Sequence, residues 1–480
     1  MNDSAKQIPE SVRPIVTSQL GDDALADKPA SPSQRKLLFC DSESVELVSP
    51  SANPKLPHDP SQAGQSSDAT SMNALVQDIL SFCGFGNPTK VTETVATTFG
   101  GEQLRVPTYV NEFWTAKQRA AHSLHEISYR ACFKPQLPRF FIQRLTQPGE
   151  SVFDPFMGRG TTLLEAGLLG RVPVGCDVSP LSVFLCRPRL NPPILEQVTQ
   201  RLARIDFADA DEIPEELLVF YHPETLREIC ALRKYLLSRQ AISQLDSIDE
   251  WIWMVALNRL TGHSPGFFSV YTMPPNQAVS VPRQRKLNAK QGLTPPRRHV
   301  AAIIAGKTSA LLSDCDARTR GILAETREGA RLLTGPSSAT PEIPSASIAL
   351  VVTSPPFLDV VDYAGDNWLR CWFIGVDAQS LNLTVSKKLE DWQQVMGATF
   401  RELHRVLRPG GLVVFEVGEV RGGKLKLEHA LLPCGVAAGL RPELVLIHDQ
   451  QFTKTSHCWG QENNVKGTNT NRMVVFRKEP

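Results

Sequence analysis

The chain has 480 residues, 41% of them hydrophobic, and sets 51 Lys plus Arg against 50 Asp plus Glu. That length suits two or three folded regions with a sizeable core, and the near-even balance excludes a chain carrying one sign of charge throughout. The ten cysteines, at 40, 83, 132, 176, 186, 230, 315, 371, 434 and 458, form neither a CxxC pair nor a secreted disulfide framework, and they read as reduced thiols. No apolar run approaches the roughly 18 residues of a bilayer span, and MNDSAKQIPES lacks a signal-peptide core. A soluble, cytoplasmic protein without a metal site is expected.

Residues 1–71 are rich in Ser, Pro, Asp, Ala and Lys, which predicts a disordered tail. Ser71 is then the expected cap of a helix over 72–82, with Gly84 stopping it. Residues 101–150 mix Tyr109, Phe113, Trp114, Tyr129, Phe133, Phe140 and Phe141 with Lys117, Arg119, Arg130, Lys134, Arg139 and Arg144. Aromatics at helical spacing are more often core than a base-stacking surface, so core is the preferred reading here.

Residues 151–162, SVFDPFMGRGTT, read as a buried strand running into a ligand-receiving turn. Val152 and Phe153 are apolar, Asp154 ends the strand, and Pro155 stops ladder pairing. Gly158 and Gly160 permit close backbone approach before Thr161 opens an apolar helix at 163–169. Taken alone, this is equally a tight turn without a ligand. A second strand at 172–176 follows, ending at Asp177, 23 residues after Asp154. An acid at that point of a doubly wound α/β domain accepts hydrogen bonds from ribose hydroxyls, so the turn is expected to hold a nucleoside.

About 190 residues separate Thr162 from Thr353, whereas the two intervening strand–helix units need roughly 30 each. An insert at about 212–328 is expected, mostly helical, with YHPETLREICALRKYL and IDEWIWMVALNRL as helices capped at His222 and Ser247. From 251 to 313 there is no Asp or Glu, yet Arg259, Arg283, Arg285, Lys286, Lys290, Arg297, Arg298 and Lys307 are present. A solvated face normally mixes signs. Nucleic-acid contact by Arg283, Arg285, Lys286, Lys290, Arg297 and Arg298 is therefore favoured, beside an aromatic loop at 267–271, with Asn276 or Gln277 as candidates for reading base edges.

The chain then supplies a third strand at 331–334 and a buried fourth at 347–352 that runs into TSPPF at 353–357. Asn191-Pro192-Pro193 is a decoy, lacking both a preceding strand and an aromatic fourth residue, and a helix is expected from 194. A helix at 392–407, a turn at 408–411, a fifth strand at 412–417 and a closing hairpin of 448–452 with 472–477 complete the chain.

DPFMGRGTT followed by GCDVSP, together with TSPPF, closely resembles the S-adenosylmethionine-dependent DNA methyltransferases that act on exocyclic amino groups of bases. KPQLPRFFIQRL resembles the helix before their first strand, and DYAGDNWLRCWFIG the segment after their catalytic loop. The resemblance covers 103–478 in outline. It implies an α/β, Rossmann-like methyltransferase domain with a doubly wound mixed sheet and a mostly helical insert between the cofactor and catalytic motifs. It also implies S-adenosyl-L-methionine as cofactor, held by Asp154, Pro155, Phe156, Gly158, Gly160, Thr161, Thr162, Asp177, Val178 and Ser179. The 154–160 loop would border its methionine part, Asp177 its ribose, and residues 133–145 would pack on the cofactor side. A phosphate-free cofactor with a cationic sulfonium suits Asp154 better than a dinucleotide does.

By the same resemblance Thr353, Ser354, Pro355, Pro356 and Phe357 are catalytic. Ser354 and the Pro355 carbonyl would accept the two amino N–H bonds, while Phe357 stacks on a flipped base. SPP favours N4 of cytosine over N6 of adenine. Two departures concern the adenine contacts: residues 335–338, Gly-Pro-Ser-Ser, replace an acid that relatives often carry, and Ala349 stands where an Asp often does. The expected organisation is a tail at 1–71, an N-terminal segment and cofactor half at 72–211, a candidate target-recognition insert at 212–328, and a catalytic half at 329–480. DNA is the expected partner, with a restriction endonuclease acting on the same site. The alternatives are an N6-adenine DNA methyltransferase, an RNA guanine-N2 methyltransferase, or a non-catalytic nucleic-acid-binding protein that keeps the fold.

Overall fold

Three runs in the sequence, VFD, VPVGCD and IALVVT, carry no polar face for solvent, so each needs covering on both sides of a sheet. The computed structural model describes residues 67–84, 86–114, 121–129, 132–273, 278–356, 358, 362–381, 388–420, 424–449 and 470–480. It places the three runs side by side in one nine-stranded sheet.

In chain order the elements are α1 (Ser67–Ser81), the hairpin β1 (Lys90–Thr97) and β2 (Gln103–Asn111), α2 (Gln136–Leu145), β3 (Ser151–Asp154), α3 (Thr161–Leu168), β4 (Val172–Asp177), α4 (Leu181–Cys186) and α5 (Leu195–Leu202). Helices α6 (Pro223–Ala241), α7 (Ser247–Leu257), α8 (Val281–Gln291), α9 (Val300–Leu311) and α10 (Ala317–Arg327) precede β5 (Arg331–Thr334) and β6 (Ile348–Thr353). Then come α11 (Tyr363–Phe373), α12 (Leu389–Val406), β7 (Leu407–Val417) and the two-residue strands β8 (Glu419–Val420) and β9 (Leu425–Lys426). The last elements are α13 (Leu427–Ala437), β10 (Leu440–Asp449) and β11 (Thr470–Lys478).

The strand order is β1-β2-β10-β11-β7-β6-β3-β4-β5. Strands β7, β6, β3, β4 and β5 run parallel, and β11 is antiparallel to both of its neighbours. This is the doubly wound, Rossmann-like mixed sheet, extended at one edge by the β1–β2 hairpin. From β3 the chain winds outward through β4 to β5, then returns to β6 on the other side of β3 and winds the opposite way. A ligand crevice opens at the C-terminal strand ends where the winding reverses.

Side chains alternate across the sheet. Val152, Leu350, Val352 and Val414 pack on one face with Leu137, Phe141 and Ile142 of α2. Phe153, Val351 and Phe415 pack on the other with Phe400 of α12 and Leu431 of α13. Tyr109, Phe113, Trp114, Phe140 and Phe141 lie in the first of these cores, as the core reading of that aromatic stretch expects.

The insert is helical and shares its core with the rest of the fold. Leu226, Trp251, Trp253, Phe268 and Ile304 form one cluster with Leu185 of α4, Val198 of α5 and Phe373 of α11. Buried Asp249 reinforces this union by pairing with Arg201 of α5 and Arg239 of α6 and by accepting from Tyr235 Oη at 3.1 Å. His222 caps α6 as expected, accepting from Glu224 N at 3.3 Å.

Several boundaries move. Asp246, not Ser247, caps α7, accepting from the N–H groups of Ile248 and Asp249. Helix α1 begins at Ser67, ahead of the expected cap. Residues 408–411 are no separate turn, because β7 starts at Leu407 and a register shift between the Ile348–Leu407 and Leu350–Leu412 pairs absorbs them, with Gly410 at φ 77°. The β1–β2 hairpin and α13 were not expected, and β10 starts at Leu440 instead of 448.

Gly175 in β4 is needed for close packing. A Cβ there would lie 2.6 Å from both Leu163 Cδ2 of α3 and Met157 Sδ of the turn. Gly175→Ala is therefore expected to cost about 1–3 kcal/mol through overpacking, read as a lower midpoint in thermal unfolding. An unchanged midpoint would show that α3 has room to shift.

Candidate functional site

Two loops meet at the point where the winding reverses. Thr353, the last residue of β6, donates its hydroxyl to Asp154 Oδ1 of β3 at 2.6 Å. The next residue, Ser354, donates to Glu416 Oε2 of β7. The start of the TSPPF loop is thus gripped from both flanking strands. Asp154 Oδ1 also accepts from Phe156 N at 3.1 Å, which closes its own turn, and Glu416 Oε1 accepts from Asn471 Nδ2 at 2.7 Å. Burial pushes both carboxyls up to about 7, against the opposing effect of these hydrogen bonds.

The turn after β3 depends on its glycines. Gly158 and Gly160 have φ of 47° and 74°, and a Cβ on Gly160 would run into Cys186 Sγ. The Asp177 carboxylate at the β4 tip braces the turn, one oxygen accepting from Gly158 N and the other from Ser179 N, each at 2.8 Å. Burial raises the pKa of Asp177 and these two N–H bonds oppose the rise. Fully buried Arg189 secures the far side through the carbonyls of Leu185, Leu124 and Arg159.

These loops wall a cavity of about 410 Å³, which falls in the range of small-molecule sites. Of the residues singled out in the sequence, Pro155, Phe156, Gly158, Asp177, Val178, Ser179, Ser354 and Pro356 line it. A side recess of about 30 Å³ adds Asp154, Thr161 and Arg159 to the shared Phe156, Gly158 and Ser354. Gly160, Thr162, Thr353 and Pro355 line neither space. Thr162 donates to Val352 O at 3.0 Å, tying α3 to β6. Phe357 lies outside the described residues.

Other walls come from residues that sequence reasoning passed over. Tyr363, Asn367 and Cys371 share one face of α11, and Trp392 of α12 also lines the cavity while donating from Nε1 to Pro356 O at 3.0 Å. Tyr129 lines both spaces, its segment held by Ser128 N donating to Asn258 Oδ1 at 2.8 Å and by Arg370 donating to Ser128 O at 3.1 Å. Trp392 and Tyr129 read as ordinary core aromatics in sequence. Glu416 had a usable signal, as a lone acid in the apolar strand LVVFEV.

The cations of the insert divide. Arg283, Arg285, Lys286 and Lys290 stand exposed on α8, and Arg298 is half-buried. Arg297 pairs with Glu224 at 2.7 Å and Glu228 at 2.5 Å. Arg259 is buried with its guanidinium 4.0 Å from the Phe267 ring centre, and Lys307 lies 3.8 Å from Glu126. The expectation of eight uncompensated charges is therefore corrected. The compensating acids come from other segments, which the local acid-free stretch concealed. Phe267 and Phe268 are likewise buried and not offered to bases, while Asn276 and Gln277 lie outside the described residues.

Among known proteins, residues 61–183 match the N6_N4_Mtase family, described as DNA methylase. The type II methyltransferase M.MjaII of Methanocaldococcus jannaschii is 34% identical over 75 residues, 16% of this chain and 14% of that protein. M.BsoBI of Geobacillus stearothermophilus is 22% identical over 289 residues, 54% of each. The chain thus spans about half or less of the length of these curated relatives. A TehB-like SAM-dependent methyltransferase structure from Corynebacterium glutamicum aligns with 71% of this chain and 87% of its own at 10% identity and a TM-score of 0.27. That likeness is too distant to bear on function, and the fold rests on strand order. The family match takes in DPFMGRGTT and Asp177, the residues of the turn after β3 and the tip of β4, while TSPPF lies beyond it.

Proposed function

We propose that the protein transfers a methyl group from S-adenosyl-L-methionine to an exocyclic amino group of a flipped base in DNA, with N4 of cytosine favoured by the SPP form of its loop. The observation that carries this is the meeting of DPFMGRGTT and TSPPF at one cavity, joined by the Thr353 to Asp154 hydrogen bond. A restriction endonuclease of the same target sequence, as partner, and a cytoplasmic location belong to the same proposal. Among the described residues no helix is long and apolar enough to cross a membrane.

The residues present fit the cofactor. Among the described residues lining the main cavity there is no Lys or Arg to attract a phosphate, and Asp177 is its one acid. When bound, S-adenosyl-L-methionine supplies an electrophilic methyl group on a sulfonium. Asp177 would accept from the ribose hydroxyls with the lone pairs left by Gly158 and Ser179. Asp154, Phe156 and Thr161 would border the methionine end.

An exocyclic amine is a poor nucleophile because its lone pair is delocalised into the ring, so it needs orienting. The Ser354 proton is committed to Glu416, which leaves the hydroxyl oxygen free to accept an amino N–H. The resemblance assigns the second acceptor to the Pro355 carbonyl, whose residue lines neither cavity space, while the neighbouring Pro356 lines the cavity and accepts from Trp392 Nε1. Once methylated, the nitrogen must lose a proton, and the Ser354 and Glu416 pair offers it a path to a carboxylate poised near neutrality.

Removing the Asp177 carboxylate by Asp177→Ala is expected to weaken S-adenosylhomocysteine binding by about 1.5–3 kcal/mol, measured by titration calorimetry. Unchanged affinity in a folded variant would take Asp177 out of the site.

Ser354→Ala and Glu416→Gln are each expected to slow single-turnover methyl transfer by about 10²-fold with little change in cofactor affinity. Because the proton acceptor is the ionised carboxylate, the wild-type rate should rise with pH and level off above about 7. Glu416→Gln should abolish that rise. If the variant keeps it, Asp154, also raised to about 7, becomes the group responsible.

Mass spectrometry of nucleosides from DNA of cells expressing the protein tests the reaction itself. N4-methylcytosine is the expected product. N6-methyladenine would select the second reading, and the absence of any methylated nucleoside would overturn the assignment to DNA.

A further inference from the structure

We propose that α8 is the surface on which the phosphate backbone of duplex DNA docks, fixed beside the cavity through α11. This rests on the DNA reading above.

Helix α8, VPRQRKLNAKQ, has four cations and no acid. Its inward anchors are two amides one turn apart. Gln284 donates to Tyr271 O at 3.0 Å and to Asn288 Oδ1 at 2.8 Å, and Asn288 donates to Val219 O at 2.7 Å. With 284 and 288 facing inward, the helical period places Arg283, Lys286 and Lys290 along one outward stripe, with Arg285 on the other flank of the helix. All four are exposed, and none forms an ion pair among the described residues. Like charges at this spacing repel within a helix, so the stripe costs stability unless something anionic lies against it.

The attachment of α8 gives the stripe its place. Just before the helix, Ala278 N donates to Asp366 O at 3.0 Å, and Val279 O accepts from Trp368 Nε1 at 3.3 Å. Asp366 and Trp368 belong to α11, whose Tyr363, Asn367 and Cys371 line the cavity. Arg283 follows Val279 by four residues, in the first turn of the helix. Eleven residues of helix extend about 16 Å, the axial rise of roughly five phosphates on one strand. A backbone lying on α8 would therefore run past the cavity in a fixed register, and phosphate contacts of this kind position the duplex without reading its sequence. The ion-paired Arg297 takes no part.

The test uses the full chain, a fluorescent random-sequence DNA duplex and a salt series. For Arg283→Gln, Lys286→Gln and Lys290→Gln combined, binding should weaken on every sequence and the slope of log K against log salt should become shallower by about 0.9 for each phosphate no longer neutralised. S-adenosylhomocysteine affinity should stay at the wild-type value, which also reports intact folding. Arg297→Gln should leave the slope unchanged. If the triple variant keeps the wild-type slope while the wild type binds the duplex, the docking surface is elsewhere and only this inference fails. If the wild type binds no DNA duplex, or binds only an RNA hairpin probe, the DNA reading fails and this inference with it.

Discussion

The parallel pairing of β3 with β6, Val152 beside Leu350 and Phe153 beside Val351, is the constraint on which the site depends. Residues about 200 positions apart in the chain leave adjacent strands in the same direction, so the loops that follow must share one crevice. The Thr353 hydroxyl then closes onto Asp154, and the glycine turn after β3 and the proline loop after β6 become two walls of one space. Overpacking at Gly175 or Gly160 would disturb this by pushing α3 or α4 away from the turn.

Two buried acids sit on either side of β6. Each is tied to a hydroxyl of the same loop, Asp154 to Thr353 and Glu416 to Ser354, and burial holds both near neutrality. Neutral hydrogen-bond partners make such groups tolerable in a core, and they leave a proton able to come and go at working pH. Asp177 differs: its oxygens are taken by two backbone N–H groups, and it shapes the cavity while lining it.

The helical insert does not hang from the sheet as a separate module. Its tryptophans share a core with α4, α5 and α11, and buried Asp249 draws Arg201 and Arg239 together across that junction. Rigid packing of this sort transmits position, so an exposed helix of the insert can hold a macromolecule in register with a cavity formed by the sheet. Helix α11 serves both parts, with one set of residues on the cavity and another bonded to the segment leading into α8.

Contiguous features were legible in the sequence: the strand, turn and helix at DPFMGRGTT, the strand ending at Asp177, TSPPF after an apolar run, and the helical character of the insert. Each follows from local backbone rules that need only neighbours in the chain. What tertiary structure decided was which of those residues face the cavity and which hold the framework. Thr162 turned to Val352 O, Glu416 arrived from a strand 62 residues after Ser354, and Tyr129, Asn367 and Trp392 came from helices and a loop with no motif to mark them. Charge showed the same division. An acid-free stretch was visible in the chain, but the glutamates that neutralise Arg297 belong to α6, 73 and 69 residues earlier, and reach it only through the packing of that helix. Side-chain partners are chosen in space, and sequence patterns record only the backbone's local preferences.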